Sequence, residues 1–173
     1  MAETQDVYLS LGSNLGNREE NLRRALAELK ELPHSWVMKV STVYETSPVG
    51  FASRHEFLNC CVQLRTELSS GEVLAACQRI EELVGRPAES ERVDYEDRVL
   101  DIDLVLFGSE DLEGWLLTIP HPQATRRLFV LAPLAEIAPG IVINGKPVEH
   151  WVTKVRAAHP EQAVKRFSSL QEL

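Results

Sequence analysis

The stretch Leu100-Asp101-Ile102-Asp103-Leu104-Val105-Leu106-Phe107 decides how this chain is read. Its apolar character marks a strand, in which successive side chains leave opposite faces. Ile102 and Leu104 therefore enter a core, while Asp101 and Asp103 share the other face with about 7 Å between their Cα atoms. Two acids so placed fit either a solvated strand face or a pair of hard oxygen donors sharing a cation, as magnesium beside phosphate requires.

Working back from this strand, Val7 to Leu11 reads as a buried strand broken by the turn formers Gly12-Ser13-Asn14-Leu15-Gly16. Asn17 with Glu20 predicts a helix start, and Leu22, Ala25, Leu26 and Leu29 recur at helical spacing until Pro33. Trp36 to Thr46 and Phe57 to Leu68 are two extended runs, separated by a loop with Pro48 and Gly50, and are expected to pair as antiparallel neighbours. Ser69 with Glu72 opens a second helix, whose apolar face is Val73, Leu74, Cys77, Ile80 and Val84 and whose stop is Gly85. A charged loop over 85–98 returns to the strand quoted first. The order β-α-β-β-α-β is the ferredoxin-like motif, hence an α+β fold. An irregular stretch through Pro120-His121-Pro122, an apolar helical run from Phe129 to Ile137 and a helical tail near Val148 to Ala158 form a C-terminal elaboration. With no linker or repeat, residues 1–173 are expected to make a single domain.

Composition narrows the functional classes. Of the 173 residues 44% are hydrophobic, enough for a core, and the net charge of −8 has the wrong sign for a nucleic-acid binder. An anionic ligand would need a local basic pocket. Cys60, Cys61 and Cys77 lack metal or redox spacing and read as buried thiols. No apolar run is long enough to span a bilayer and the N-terminus has no signal-like segment, so a cytoplasmic protein without membrane partners is expected.

Arg98-Val99-Leu100-Asp101-Ile102-Asp103-Leu104 resembles the R-x-x-D-x-D-L signature of 6-hydroxymethyl-7,8-dihydropterin pyrophosphokinases. Further blocks are similar in the same order: Leu11 to Gly16, Tyr44 to Gly50, Phe57-Leu58-Asn59, Arg79-Ile80-Glu81, Pro120-His121-Pro122 and Arg127 to Leu134, together spanning residues 7–143. The resemblance implies transfer of a pyrophosphoryl group from ATP to the 6-hydroxymethyl oxygen of a reduced pterin, with release of AMP. It implies that Asp101 and Asp103 hold two magnesium ions, and that Phe57 and Phe129 stack on the pterin, with Asn59, Thr46 and Val49 at its rim. Arg86, Arg98, His121 and Arg127 match positions that approach phosphates, and Glu81 and Thr118 match polar contacts elsewhere on the nucleotide. Without that context Phe57 and Phe129 would read as core, and Glu81 as a helix-surface acid. Glu45, Glu72 and Glu82 read as solvated, and Gly12-Ser13-Asn14 as a weak phosphate-turn signal. A monomer acting on small molecules is expected.

The chain departs from the family pattern before the metal strand. Tyr95-Glu96-Asp97-Arg98 stands where Trp-Gly-Pro-Arg is usual, and the 85–98 loop carries three arginines, Arg86, Arg92 and Arg98, against the acids Glu89, Glu91, Asp94, Glu96 and Asp97. Leu116 stands where an arginine is common, and Pro122 where an aromatic is. A loop of net charge −2 beside a polyanion implies either a slower enzyme with a remodelled loop or a diverged paralogue that binds a pterin or nucleotide without efficient transfer. Another nucleotide-using transferase and a non-catalytic ferredoxin-like interaction domain are the remaining classes.

Overall fold

The computed structural model describes residues 3–49, 53, 55–85 and 97–169. Its first half runs β1 (Gln5–Ser13), α1 (Arg18–Lys30), β2 (Ser35–Val40), β3 (Thr42–Thr46), β4 (Phe57–Thr66), α2 (Ser70–Val84) and β5 (Asp101–Phe107). A small hairpin follows, β6 (Leu112–Glu113) with β7 (Thr118–Ile119), then a 3₁₀ turn at Ala124–Arg126 and α3 (Leu128–Ile137). A second small hairpin, β8 (Val142–Ile143) with β9 (Lys146–Pro147), leads to α4 (Val148–Ala158) and β10 (Val164–Ser169).

The strand order β10-β3-β4-β1-β5 contains the ferredoxin-like arrangement, and every pairing in the sheet is antiparallel. Helix starts fall where the caps predict: the side-chain oxygen of Asn17 accepts from Glu20 N at 3.1 Å and that of Ser69 from Glu72 N at 3.2 Å. Gly85 ends α2 at φ 126°, a left-handed value that favours glycine.

Two expectations change. The run Trp36 to Thr46 is two strands, both paired with β4, because Ser41 interrupts it. Its N–H donates to Cys61 O at 2.9 Å, but Cys61 N donates to the Ser41 hydroxyl at 2.8 Å, so a side chain takes the place of a ladder carbonyl. The second change is β10, a polar segment (Val164-Lys165-Arg166-Phe167-Ser168-Ser169) that covers the edge of β3.

The sheet is buried on both faces. Val7, Leu9, Leu11, Leu58, Cys60, Ile102 and Leu104 pack with α1 and α2, whereas Cys61, Val105 and Leu106 pack with α3 and α4. Adjacent Cys60 and Cys61 thus face opposite cores, and burial pushes both thiols, and that of Cys77, up. Between β1 and β5 the register shifts: Leu9 faces Leu104 but Tyr8 faces Leu106, so Val105 is the extra residue that resets which face β5 shows. Among the described residues no helix is long and apolar enough to cross a membrane.

Candidate active site

Asp101 and Asp103 leave the α3 side of the sheet, opposite the core side of Ile102 and Leu104. The register puts their neighbours in two rows. Asn59 on β4 faces Gly12 on β1, which faces Asp101 on β5; one row further, Cys61 faces Ser10, which faces Asp103. The middle strand contributes a glycine and a serine, so a trough runs from Asn59 to the carboxylates. A larger residue at Gly12 would have to displace the Asn59 amide: a Cβ there would lie 2.6 Å from Asn59 Nδ2, and in ordinary contact with Phe57 Cδ1 at 3.5 Å.

This trough is the floor of a cavity of about 480 Å³ measured out to its mouth, open solvent included. Phe57 and Phe129 are among its walls, and Val49, Arg98 and Arg127 also line it. Thr46 does not line it. Its hydroxyl donates to Asn59 Oδ1 at 2.6 Å, and Asn59 Nδ2 donates to Leu11 O at 3.5 Å, which fixes an amide that is only 3% exposed.

The carboxylate end is electrostatically crowded. Arg98 Nη1 donates to Asp101 Oδ2 at 2.8 Å, Arg127 Nη1 lies 4.0 Å from Asp103 Oδ2, and Arg127 Cζ lies over the Phe129 ring at 5.6 Å from its centroid. Burial, and then the Asp101 charge, hold the Asp103 carboxyl well above the ordinary carboxylate range against the pull of the two arginines. The buried Arg98 Nε has no hydrogen-bond partner. Two carboxylates resisting joint ionisation and an orphaned guanidinium donor are what a bound cation and a phosphate oxygen would satisfy. No cluster of three or more potential metal-ligating side chains occurs among the described residues; magnesium is commonly bound through one or two carboxylates together with substrate phosphates and water.

Beyond Asp103, a second concavity of about 630 Å³ to its mouth is walled by Leu74, Leu104, Trp115 and Leu117 and holds Thr118 and His121. Thr118 Oγ1 donates to Gly114 O at 3.3 Å across the β6–β7 turn. Burial, then Arg127, lowers the His121 pKa to about 4, and its Nδ1 accepts from Gln123 N at 3.1 Å, leaving Nε2–H as a neutral donor. Leu116 and Trp115 are exposed, 72% and 96%, at the rim of this concavity.

Glu81 is not a surface acid: it is 2% exposed, and Ile102 N donates to its Oε2 at 2.8 Å, so it anchors the strand that bears the two aspartates. Glu45 is likewise paired rather than simply solvated, at 3.0 Å from Arg18. The Gly12–Asn14 turn is no phosphate cradle, since Asn14 N and Leu15 N both donate to Arg98 O, at 2.9 and 3.2 Å. Arg86, with Arg92 and Glu96, lies outside the described residues. Asp97 does not present a free charge: the Ser53 hydroxyl donates to its Oδ1 at 2.5 Å and Asn14 Nδ2 at 2.7 Å. These bonds, Ser53 first, hold its carboxyl below the usual range over the opposing effect of burial. The site residues that sequence reasoning missed are Ser10, Gly12 and Ser47, all lining the main cavity. Their only signal is small size, which becomes meaningful once strand register is known.

Comparison with known proteins agrees with this geometry. Residues 8–139 match the model of the 7,8-dihydro-6-hydroxymethylpterin-pyrophosphokinase (HPPK) family. The chain is 41% identical over 161 residues to a 2-amino-4-hydroxy-6-hydroxymethyldihydropteridine pyrophosphokinase of Bacillus subtilis, covering 93% of this chain and 95% of that protein. It is 36% identical over 163 residues to the protein of that name from Aquifex aeolicus, covering 93% and 94%. In fold it is similar to an HPPK-DHPS crystallised with substrates, at TM-score 0.70 and 12% identity over 91% of this chain, and to Plasmodium falciparum HPPK-DHPS with pteroate, at 0.69 and 15% over 92%. The chain spans only 44% and 46% of those two solved chains. With three quarters of its length matched by the family model and full-length relatives above 30% identity, the chain belongs to the 7,8-dihydro-6-hydroxymethylpterin-pyrophosphokinase family.

Proposed function

We propose that the chain transfers pyrophosphate from ATP to the 6-hydroxymethyl group of 6-hydroxymethyl-7,8-dihydropterin, the HPPK step of folate synthesis, using the trough between Asn59 and the two aspartates. The observation that carries this reading is the register row Asn59–Gly12–Asp101, which joins a fixed amide to a carboxylate across a strip of bare backbone beside Phe57. A flat heterocycle needs that combination: aromatic walls, a polar rim and a slot without side chains.

Phe57 and Phe129 stack on the pterin, and Asn59, held by Thr46, reads its polar edge, with Val49 and the Thr46 backbone at the rim. That pose points the 6-hydroxymethyl arm at Asp101 and Asp103. These two acids hold magnesium, as two ions, which aligns the phosphates with the hydroxyl and absorbs developing charge when bound. Arg98 and Arg127 neutralise the carboxylates and offer donors to phosphate oxygens, and Arg86 joins them. His121 donates from Nε2 to a phosphate oxygen without adding charge. Thr118 lies against the nucleoside in the second concavity, and Glu81 serves the site by fixing Ile102 and thereby the strand. Positioning dominates the rate, so no strong base is required. The protein acts as a single-domain cytoplasmic monomer.

Incubation with ATP, hydroxymethyldihydropterin and magnesium should yield AMP and the pterin diphosphate in equal amounts, and chelation should stop it. Absence of AMP under these conditions would overturn the proposal. Size-exclusion chromatography with light scattering should return a mass near 19.4 kDa.

A further inference from the structure

Asp97 belongs to a hydrogen-bond knot that joins three segments far apart in sequence. Its Oδ1 accepts from Ser53 Oγ at 2.5 Å and from Asn14 Nδ2 at 2.7 Å. Asn14 is 2% exposed, and its Nδ2 also donates to His55 O at 3.2 Å, while its Oδ1 accepts from Arg98 N at 2.5 Å. Ser53 Oγ in turn accepts from His55 N at 3.0 Å. Asn14 N and Leu15 N close the knot on Arg98 O.

The three segments have separate duties in the proposed reaction. The segment through Ser53 and His55 runs directly into Phe57 and Asn59, the pterin wall and rim. The segment through Asp97 carries Arg98, whose Nη1 donates to Asp101. The turn at Asn14 continues from Gly12, the floor between them. A carboxylate suits the centre of the knot because it has oxygen lone pairs for several donors and draws shorter, stronger bonds than a neutral acceptor.

We propose that Asp97, through Ser53 and Asn14, is a positioning residue that couples the pterin side of the site to the phosphate side. Ordering either side orders the knot, so the ligand of the other side meets a site already arranged, and the coupling is reciprocal. The inference rests on the pyrophosphokinase reading. The acid that the sequence sets beside a polyanion thus has a constructive role.

The test uses Asp97→Ala, with Asp97→Asn as the conservative variant because its amide oxygen can still accept from Ser53 and Asn14. Because the bond cleaved is the one between the α- and β-phosphates, α,β-methylene-ATP is the nucleotide probe. Calorimetry measures the pterin dissociation constant with and without that probe and magnesium. Wild type should bind pterin about tenfold more tightly with the nucleotide present, a typical coupling. In Asp97→Ala that ratio should fall several-fold toward one and kcat should fall about tenfold, while pterin affinity without nucleotide changes less than about twofold. Asp97→Asn should recover most of the ratio. A wild-type ratio and kcat in Asp97→Ala would overturn the proposal. So would a fall in melting temperature with equal losses in both affinities and an unchanged ratio, which is the signature of a merely structural residue. If wild type binds neither ligand, the pyrophosphokinase reading fails first, which separates the two failures.

Discussion

Asn59, Gly12 and Asp101 stand in one register row of the sheet, with Ser10 and Asp103 in the next, whereas Arg98, Thr118, His121 and Arg127 reach the site from turns and element ends around it. A ladder holds its members at about 5 Å spacing on both sides, so a change in the row cannot be absorbed by the backbone. Groups on turns can shift by small rotations. The pterin half is thus rigid and built from bare backbone and one locked amide, while the phosphate half is charged and adjustable. Substitutions in the first should strike at full strength, and those in the second should be partly accommodated.

The largest effect is expected at the end of the rows. Asp101→Asn or Asp103→Asn should reduce kcat by about a hundredfold or more while leaving the fold intact, since one carboxylate fewer deprives magnesium of charge and place. Quenched-flow AMP release together with circular dichroism checks both parts. Near-normal turnover at ordinary magnesium would break the assignment of the pair.

Next is the floor. Gly12→Val places atoms where Asn59 Nδ2 and Phe57 already sit, at 2.6 and 3.5 Å from a Cβ, and should weaken pterin binding by about 2 kcal/mol or more. Nucleotide affinity should change far less. Equal losses for both ligands would show that the row serves the whole site and that the contrast between halves is false.

How much of this could be read from the sequence depends on range. The caps at Asn17 and Ser69 and the facing of Asp101 with Asp103 are local, because helix periodicity and strand alternation are settled within a few residues. The role of Gly12 is not local, since it depends on which residue of β4 and which of β5 stand opposite. Asp97 read as a repulsive acid because its partner Asn14 lies 83 residues away. Ser41 split a strand by a side-chain bond to a strand 20 residues on, and β10 is too polar to announce itself. Glu81 read as a nucleotide contact or a helix-surface acid, because the Ile102 N–H that donates to it lies 21 residues further along the chain.

On the adjustable half, His121 makes a smaller effect that appears as a pH dependence of stability. The unfolded chain takes up its imidazole proton near pH 6.5, the folded ligand-free protein only near pH 4, so stability falls as pH drops through that window. Between pH 7 and pH 5 the loss from this group should be on the order of 1 to 2 kcal/mol. Thermal denaturation should show His121→Gln losing less stability over that interval than wild type. Identical pH profiles would mean the imidazole is already free to charge in the folded state.

The smallest effect separates the two aromatic walls. Phe57 is a strand residue opposite Thr46, whereas Phe129 lies in the first turn of α3 with Arg127 over its ring at 5.6 Å and that arginine 4.0 Å from Asp103. Replacing either by leucine keeps apolar area and removes the aromatic face, so pterin binding should weaken by about 1 kcal/mol in each case. The two should differ in what else they disturb. Phe57→Leu leaves the phosphate groups untouched and should alter pterin affinity alone. Phe129→Leu also removes the surface on which the Arg127 guanidinium rests, worth about 0.5 to 1 kcal/mol at a partly exposed site, so nucleotide affinity should decline with it. Calorimetric titration of both variants with pterin and with α,β-methylene-ATP decides the point. If the nucleotide constant moves equally in both, the walls are equivalent, and the division between a rigid pterin half and an adjustable phosphate half does not extend to them.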